Sequence, residues 1–114
     1  MVDDDAGIRE LMVNTLTYCV NREVLSFKTS QAAWQYLEDG NPADMVNCDV
    51  DMENSGGFEL MAKIKQQTPD KIFIIMSGQD VNGKKAELDG ADAFLGKPFA
   101  INDLFNLVQT YIVD

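Results

Sequence analysis

The chain has 114 residues, 46% of them hydrophobic and 25% charged, which suits one globular domain with a single core and leaves too little for two. With 19 acidic and 9 basic residues the net charge is −10, and a negative protein repels a phosphate backbone, so direct binding to nucleic acid is not expected. The longest apolar run, residues 72–76, is far shorter than the roughly 20 residues that cross a bilayer, and we expect no membrane insertion.

Strand and helix patterns alternate in the first half of the chain. Residues 1–2 predict the end of a short strand, and Asp5 is expected to cap the first helix. The apolar face of that helix would carry Ile8, Leu11, Met12, Leu16 and Cys19. Residues 23–27 predict the second strand, Ser30 is expected to cap the second helix, and residues 45–50 predict the third strand.

The second half of the chain continues the same alternation. Residues 57–67 predict a helix, and residues 72–76 form a β-branched run that is typical of a strand buried on both faces. Residues 81–89 predict a polar fourth helix, which we expect to be short or poorly ordered because Gly83 costs roughly 1 kcal/mol in a helix interior. Residues 93–95 predict the fifth strand. A clear helical stripe then comprises Ile101, Leu104, Phe105, Val108, Tyr111 and Ile112.

Strict alternation of five strands and five helices predicts a parallel sheet with helices on both faces, because each right-handed crossover needs a helix to return the chain. We expect residues 1–114 to form a single domain. In such sheets functional groups gather at the carboxyl ends of the strands. The polar residues expected at those ends are Asp3, Asp4 and Asp5 after the first strand, Asp49 and Asp51 at the end of the third, Ser77 after the fourth and Lys97 after the fifth.

The absence of histidine leaves carboxylate, hydroxyl and lysine chemistry, because it removes His-based general base catalysis and the usual zinc sites. Carboxylates from two strand ends repel each other unless a cation lies between them, and ligands that are all oxygen favour Mg²⁺. Phosphate oxygens usually complete the coordination of Mg²⁺, and Ser77 and Lys97 can supply a hydrogen bond and a positive charge to such oxygens. An aspartate beside the metal can then act as a nucleophile and form an acyl phosphate.

Five blocks of the sequence resemble, in the same order, the receiver domains of response regulators from two-component signal transduction, the chemotaxis receivers among them. The blocks are VDDDAGIREL at 2–11, NCDVDM at 47–52, GGFELM at 56–61, IIMSG at 74–78 and GADAFLGKPF at 90–99. Together they span nearly the whole chain. The resemblance implies a flavodoxin-like (βα)5 doubly wound fold, with a five-stranded parallel sheet and helices on both faces.

The resemblance also implies roles for individual acidic residues. Asp49 would accept a phosphoryl group from a phosphohistidine on a partner protein. Asp4 and Asp49 would bind Mg²⁺, or Mn²⁺ in its place. The backbone carbonyl of Asp51 would be a third ligand, and Asp3 would act through water.

The other roles that the resemblance implies concern the response to phosphorylation. Ser77 and Lys97 would contact the phosphoryl group. Ser77 would move towards it, and Phe94 would turn inward into the space that opens, which would change the surface of the fourth helix, fifth strand and fifth helix. The Lys97–Pro98 bond matches one that is cis in the family.

A receiver is a signalling phosphoacceptor and not an enzyme beyond self-phosphotransfer and autodephosphorylation. The partners implied are a sensor histidine kinase or a histidine phosphotransfer protein, together with an unidentified output protein or domain in the cytoplasm. A monomer and a phosphorylation-dependent homodimer are both open. Because two residues precede Asp3, where a central strand needs about five, we expect a truncated first strand and either a stand-alone receiver or a piece of a longer regulator or hybrid kinase.

Two alternatives use the same residues differently. A receiver-fold interaction module independent of phosphorylation would keep the fold, although the presence of Asp4, Asp49, Ser77 and Lys97 argues against it. The Asp49-Val50-Asp51 sequence after a strand also resembles the aspartyl-phosphate motif of haloacid-dehalogenase-type phosphatases. In this chain, however, the acid pair precedes the nucleophile, and a cap domain would not fit.

Overall fold

A computed structural model describes residues 1–2, 7, 9–14, 25–40, 45–51 and 56–111, with the backbone alone at residue 101. Two helices come first, and strands and helices then alternate along these residues. They are α1 (helical at residues 9–14), α2 (Ser30–Glu38), β1 (Met45–Asp49), α3 (Gly57–Gln67), β2 (Ile72–Ser77), α4 (Asp80–Asp89), β3 (Ala93–Gly96) and α5 (Ile101–Tyr111).

The three strands form a parallel sheet in the order β1-β2-β3. On the other side of β1, Val2 forms parallel bridges both to Cys48 and to Phe27. Relative to the five predicted strands, this places the second strand outermost, then the first, third, fourth and fifth, which is the flavodoxin-like order. The predicted fold class is confirmed.

The ends of the strands differ in detail from the predictions. In the described residues the first and second predicted strands amount to the single bridging residues Val2 and Phe27, and residues 23–24 of the second lie outside the described part. The fourth predicted strand extends to Ser77, because Ser77 pairs with Gly96 across the β2–β3 ladder. Ser77 is therefore the last residue of a strand and not the first residue after it.

Two hydrophobic clusters cover the two faces of the sheet. Alternate residues of β2 belong to different clusters, which is what a strand buried on both faces requires. The first cluster, towards α2, α3 and α4, includes Ala33, Leu60, Met61, Ile64, Phe73, Ile75 and Ala86. The second, towards α1 and α5, includes Met12, Ile74, Met76, Leu95, Leu104 and Val108.

The helices nearest the N-terminus differ from the predictions in two places. Thr29 caps α2, with its Oγ1 accepting a hydrogen bond from the Ala32 N–H at 3.1 Å, whereas the predicted cap Ser30 is the first helical residue. Thr29 has the extended backbone that a cap needs, and its hydroxyl precedes that of Ser30 by one position. In α1, Met12 is buried as predicted but Leu11 is 55% exposed; Ile8, Leu16 and Cys19, like the predicted cap Asp5, lie outside the described residues.

The fourth helix is longer than its glycine suggested. α4 contains 10 residues, and Gly83 lies inside it. A Cβ at Gly83 would be 3.2 Å from the Phe94 ring, so the missing side chain lets α4 pack closely on β3. This close packing offsets the helix-propensity cost on which the prediction of a short helix rested. In the described part of the chain, no helix is both long and apolar enough to cross a membrane.

Candidate functional site

Three chemically capable side chains lie where parallel strands end side by side. Asp49 is the last residue of β1 and Ser77 the last residue of β2, and both are buried, at 4% and 1% exposure. Lys97 directly follows β3, and its backbone N–H donates to the Ser77 carbonyl at 2.8 Å. The parallel register thus brings three residues that are 20 or more positions apart in sequence to one edge of the sheet.

Both oxygens of the Asp49 carboxylate have partners. Its Oδ2 accepts a hydrogen bond from Lys97 Nζ at 2.6 Å, in an ion pair between a buried acid and a half-buried base. Its Oδ1 accepts from the Asp51 backbone N–H at 2.9 Å. Charge-assisted bonds of this kind fix the orientation of the carboxylate at the strand end.

The Asp51 side chain points back into the same site, a direction that the sequence left open. Its Oδ1 accepts a hydrogen bond from the Ser77 hydroxyl at 2.5 Å, and its Oδ2 accepts from the Gly78 N–H at 2.7 Å and lies 3.7 Å from Lys97 Nζ. Partial burial raises the pKa of the Asp51 carboxyl. The hydrogen bonds from Ser77 and Gly78 and the charge of Lys97 outweigh that effect and hold the pKa below its usual value.

The Ser77 hydroxyl also connects the site to α4. While it donates to Asp51, it accepts from the Gln79 N–H at 3.0 Å and from Asn82 Nδ2 at 2.9 Å. Asn82 lies in the first turn of α4, so a displacement of the hydroxyl changes the contacts of that turn. Sequence reasoning missed Asn82 and the Gly78 N–H; the short spacing of both from Ser77 was the available signal.

Phe94 reaches α4 from another direction. It lies in β3, is half-buried, and packs against the first cluster, with its ring beside Gly83. α4 is therefore in contact both with the Ser77 hydroxyl and with the Phe94 ring. The Lys97–Pro98 peptide bond, for which the resemblance implies the cis isomer, is cis in the structure.

The oxygen ligands implied for Mg²⁺ lie partly beyond the described chain. Asp3 and Asp4 are outside it, and the residues that are described contain no group of three His, Cys, Asp or Glu side chains that could hold an ion. Asp49 and Asp51 contribute neighbouring carboxylates that share Lys97 as a cation. Oxygen donors of this type fit Mg²⁺.

Known proteins resemble this chain along nearly its whole length. The chain is 32% identical over 111 residues to the DNA-binding transcriptional regulator NtrC of Azospirillum brasilense, covering 96% of this chain and 23% of that protein. This chain spans about a quarter of the length of that protein and of two other NtrC proteins that it matches.

Two solved structures have the same fold and are also similar in sequence. A response regulator receiver domain protein from Clostridium thermocellum is 28% identical, with a TM-score of 0.85 over 97% of this chain and 90% of that one. The BeF3-activated receiver domain of DrrB, a Thermotoga maritima protein, is 27% identical, with a TM-score of 0.82 over 96% of this chain and 92% of that one. The model of the response regulator receiver domain family matches residues 1–109, and the chain belongs to that family.

Proposed function

We propose that this receiver domain is the phosphoacceptor of a two-component phosphorelay, with Asp49 as the residue that is phosphorylated. The observation that carries the proposal is the Asp49 carboxylate at the end of β1, held by Lys97 Nζ at 2.6 Å, with Ser77 at the end of the neighbouring strand β2. Transfer of a phosphoryl group to a carboxylate needs a nucleophile, a cation and a hydrogen-bond donor close together, and this edge of the sheet carries all three. The donor would be a phosphohistidine of a sensor kinase or of a histidine phosphotransfer protein.

The proposed step replaces one phosphoryl bond with another. A carboxylate oxygen of Asp49 attacks phosphorus, the bond from phosphorus to the histidine nitrogen breaks, and the departing imidazole of the partner protein takes up a proton. Lys97 and Ser77 offset the charge on the transferred oxygens. Bound Mg²⁺ would add positive charge there, with Asp4, Asp49 and the Asp51 carbonyl as ligands and Asp3 acting through water.

The same contacts give the modification a route to the surface. A phosphoryl group on Asp49 adds negative charge and competes for the Ser77 hydroxyl, which also holds Gln79 and Asn82 at the start of α4. Movement of that turn changes the space around Phe94 and the surface of α4, β3 and α5. Phosphorylation then shifts a population between two states, by no more than its differential interaction with them.

The exposed side of α4 offers an apolar surface to an output protein or domain. α4 exposes the apolar side chains Val81 at 67% and Leu88 at 86%, whereas its other exposed side chains are charged. An output protein or domain that docks there would cover these side chains. The relatives include longer DNA-binding regulators. Because this chain has a net charge of −10 and would repel a phosphate backbone, we assign any contact with nucleic acid to an output segment and not to the receiver itself.

The test is phosphorylation by a small-molecule phosphodonor such as acetyl phosphate in the presence of Mg²⁺, followed by intact mass measurement. We expect the mass of one phosphoryl group in the wild type, none in Asp49→Asn, and the wild-type result in Asp70→Asn. Asp70 is a matched control because it is an exposed acid between α3 and β2, away from the carboxyl ends of the strands. A folded wild type that takes up no phosphoryl group with either donor, acetyl phosphate or phosphoramidate, would instead support an interaction module independent of phosphorylation.

A further inference from the structure

The Asp51 carboxylate occupies two hydrogen-bond donors of the site and also pairs with its cation. The Asp51 side chain accepts from the Ser77 hydroxyl at 2.5 Å and the Gly78 N–H at 2.7 Å, and lies 3.7 Å from Lys97 Nζ. These groups come from the ends of β2 and β3, and Asp51 itself follows β1. The ends of β2 and β3 thus direct their donors at an acid that follows β1.

The same donors are the ones that a phosphoryl group on Asp49 would use. Asp49 and Asp51 both contact Lys97, and the Asp51 N–H donates to Asp49 Oδ1 at 2.9 Å, so the two carboxylates border one space. A phosphoryl group brings three strong acceptor oxygens and a charge of about −1.5 to −2 into that space. It cannot take the Ser77 hydroxyl and the Gly78 N–H while the Asp51 carboxylate holds both.

We infer that the Asp51 carboxylate is an intramolecular competitor for the phosphoryl-binding donors and limits how fast Asp49 is phosphorylated. The inference rests on the proposed function and adds a regulatory residue to it. Asp51 is at the protein surface, so its side chain can turn into water when a phosphoryl group arrives. Before that, it holds Ser77 and the start of α4 in place by binding the donors itself.

Two effects of Asp51 act in the same direction. Its hydrogen bonds must break before the phosphoryl group can bind Ser77 and Gly78, and its charge repels the incoming anion. Asp51→Asn removes the charge, and Asp51→Ala removes both the charge and the acceptor. Each variant is therefore expected to be phosphorylated faster than the wild type, with Asp51→Ala the faster of the two.

The experiment measures the rate constant of phosphorylation by acetyl phosphate at saturating Mg²⁺. A separate Mg²⁺ titration of each variant establishes the saturating concentration. We expect an increase of about fivefold or more for Asp51→Ala, since bonds to charged groups are among the stronger ones. Asp70→Asn, which removes an acid between α3 and β2, is the matched control and should retain the wild-type rate. The Gly78 amide proton should also move upfield in Asp51→Ala, because its bond to the carboxylate is lost.

The outcomes separate this inference from the proposed function. If the wild type is phosphorylated on Asp49 but neither folded Asp51 variant is faster, the competition is overturned while the phosphoacceptor remains. If the Gly78 amide does not shift in Asp51→Ala, the contact itself is overturned, whether or not phosphorylation occurs. If the wild type takes up no phosphoryl group from any donor, the proposed function fails, and the inference fails with it.

Discussion

Lys97 Nζ lies 2.6 Å from Asp49 Oδ2 and 3.7 Å from Asp51 Oδ2, so one ammonium group after β3 joins the carboxylate at the end of β1 to the one two residues later. Asp49 is almost fully buried, and Lys97 is partly exposed. The pair therefore connects the interior of the site with its rim. The proposed function gives the two residues different roles: Asp49 would accept the phosphoryl group, and Lys97 would transmit the change to α4.

Replacing Lys97 should separate those functions. In Lys97→Ala we expect Mg²⁺ binding to be retained, because no metal ligand is removed and a nearby positive charge is lost. We expect phosphorylation to lose its effect on α4, because Lys97 no longer pulls the phosphoryl oxygens towards the end of β3. Amide chemical shifts of α4 with and without acetyl phosphate test this, and Lys84→Ala, on the exposed side of α4, is the control. Shifts in phosphorylated Lys97→Ala equal to those of the phosphorylated wild type would contradict the role of Lys97.

The start of α3 should not accept a side chain at Gly57. A Cβ there would lie 2.6 Å from Val50 Cγ1 and 3.0 Å from Cys48 Sγ. We expect Gly57→Ala to lower the free energy of unfolding by about 1–3 kcal/mol, the usual cost of overpacking. Urea denaturation measures the change. The double variant Val50→Ala with Gly57→Ala should recover part of the loss, and equal stability of Gly57→Ala and the wild type would show that the helix can move away.

Packing between α4 and β3 gives a second steric test. A Cβ at Gly83 would lie 3.2 Å from the Phe94 ring, so a larger side chain must displace the ring. We expect Gly83→Leu to destabilise the fold by about 1–3 kcal/mol although leucine favours helices. In a Phe94→Ala background the same substitution should cost less, which a double-mutant cycle in urea measures. Additive effects would mean that the two positions do not share their space.

The sequence predicted the elements better than the contacts that cross between them. Periodicity placed β2, α3 and α5 because their apolar patterns are local, and parallel topology placed Asp49, Ser77 and Lys97 at one edge. The direction of Asp51 depends on donors 26 and 27 positions away, which no local pattern contains. Gly83 likewise had a visible helix cost, but its compensation is the Phe94 ring of another element.

Single hydrogen-bonding groups were equally hard to place. Ser30 and Thr29 are adjacent hydroxyl residues with the same chemistry, and the backbone angles of Thr29 decide which one caps α2. Asp92 carried no signal, yet its Oδ2 accepts from the Phe73 N–H at 2.8 Å and pairs with Lys65 at the edge of the sheet opposite the site. A carboxylate in a turn is common, and the hydrogen bond that gives Asp92 its structural role comes from a strand residue 19 positions earlier.

Ser77 offers the sharpest test of the route from the site to α4. In Ser77→Ala the Gln79 N–H and Asn82 Nδ2 lose their common acceptor, and Asp51 loses a donor. We expect a loss of about 1–2 kcal/mol in the free energy of unfolding and faster hydrogen exchange in the first turn of α4. Phosphorylation of Asp49 should persist, since the nucleophile is intact, but exchange in α4 should no longer respond to it. Ser77→Thr keeps the hydroxyl and should restore the response, whereas a response in Ser77→Ala equal to that of the wild type would mean that the signal reaches α4 by another path.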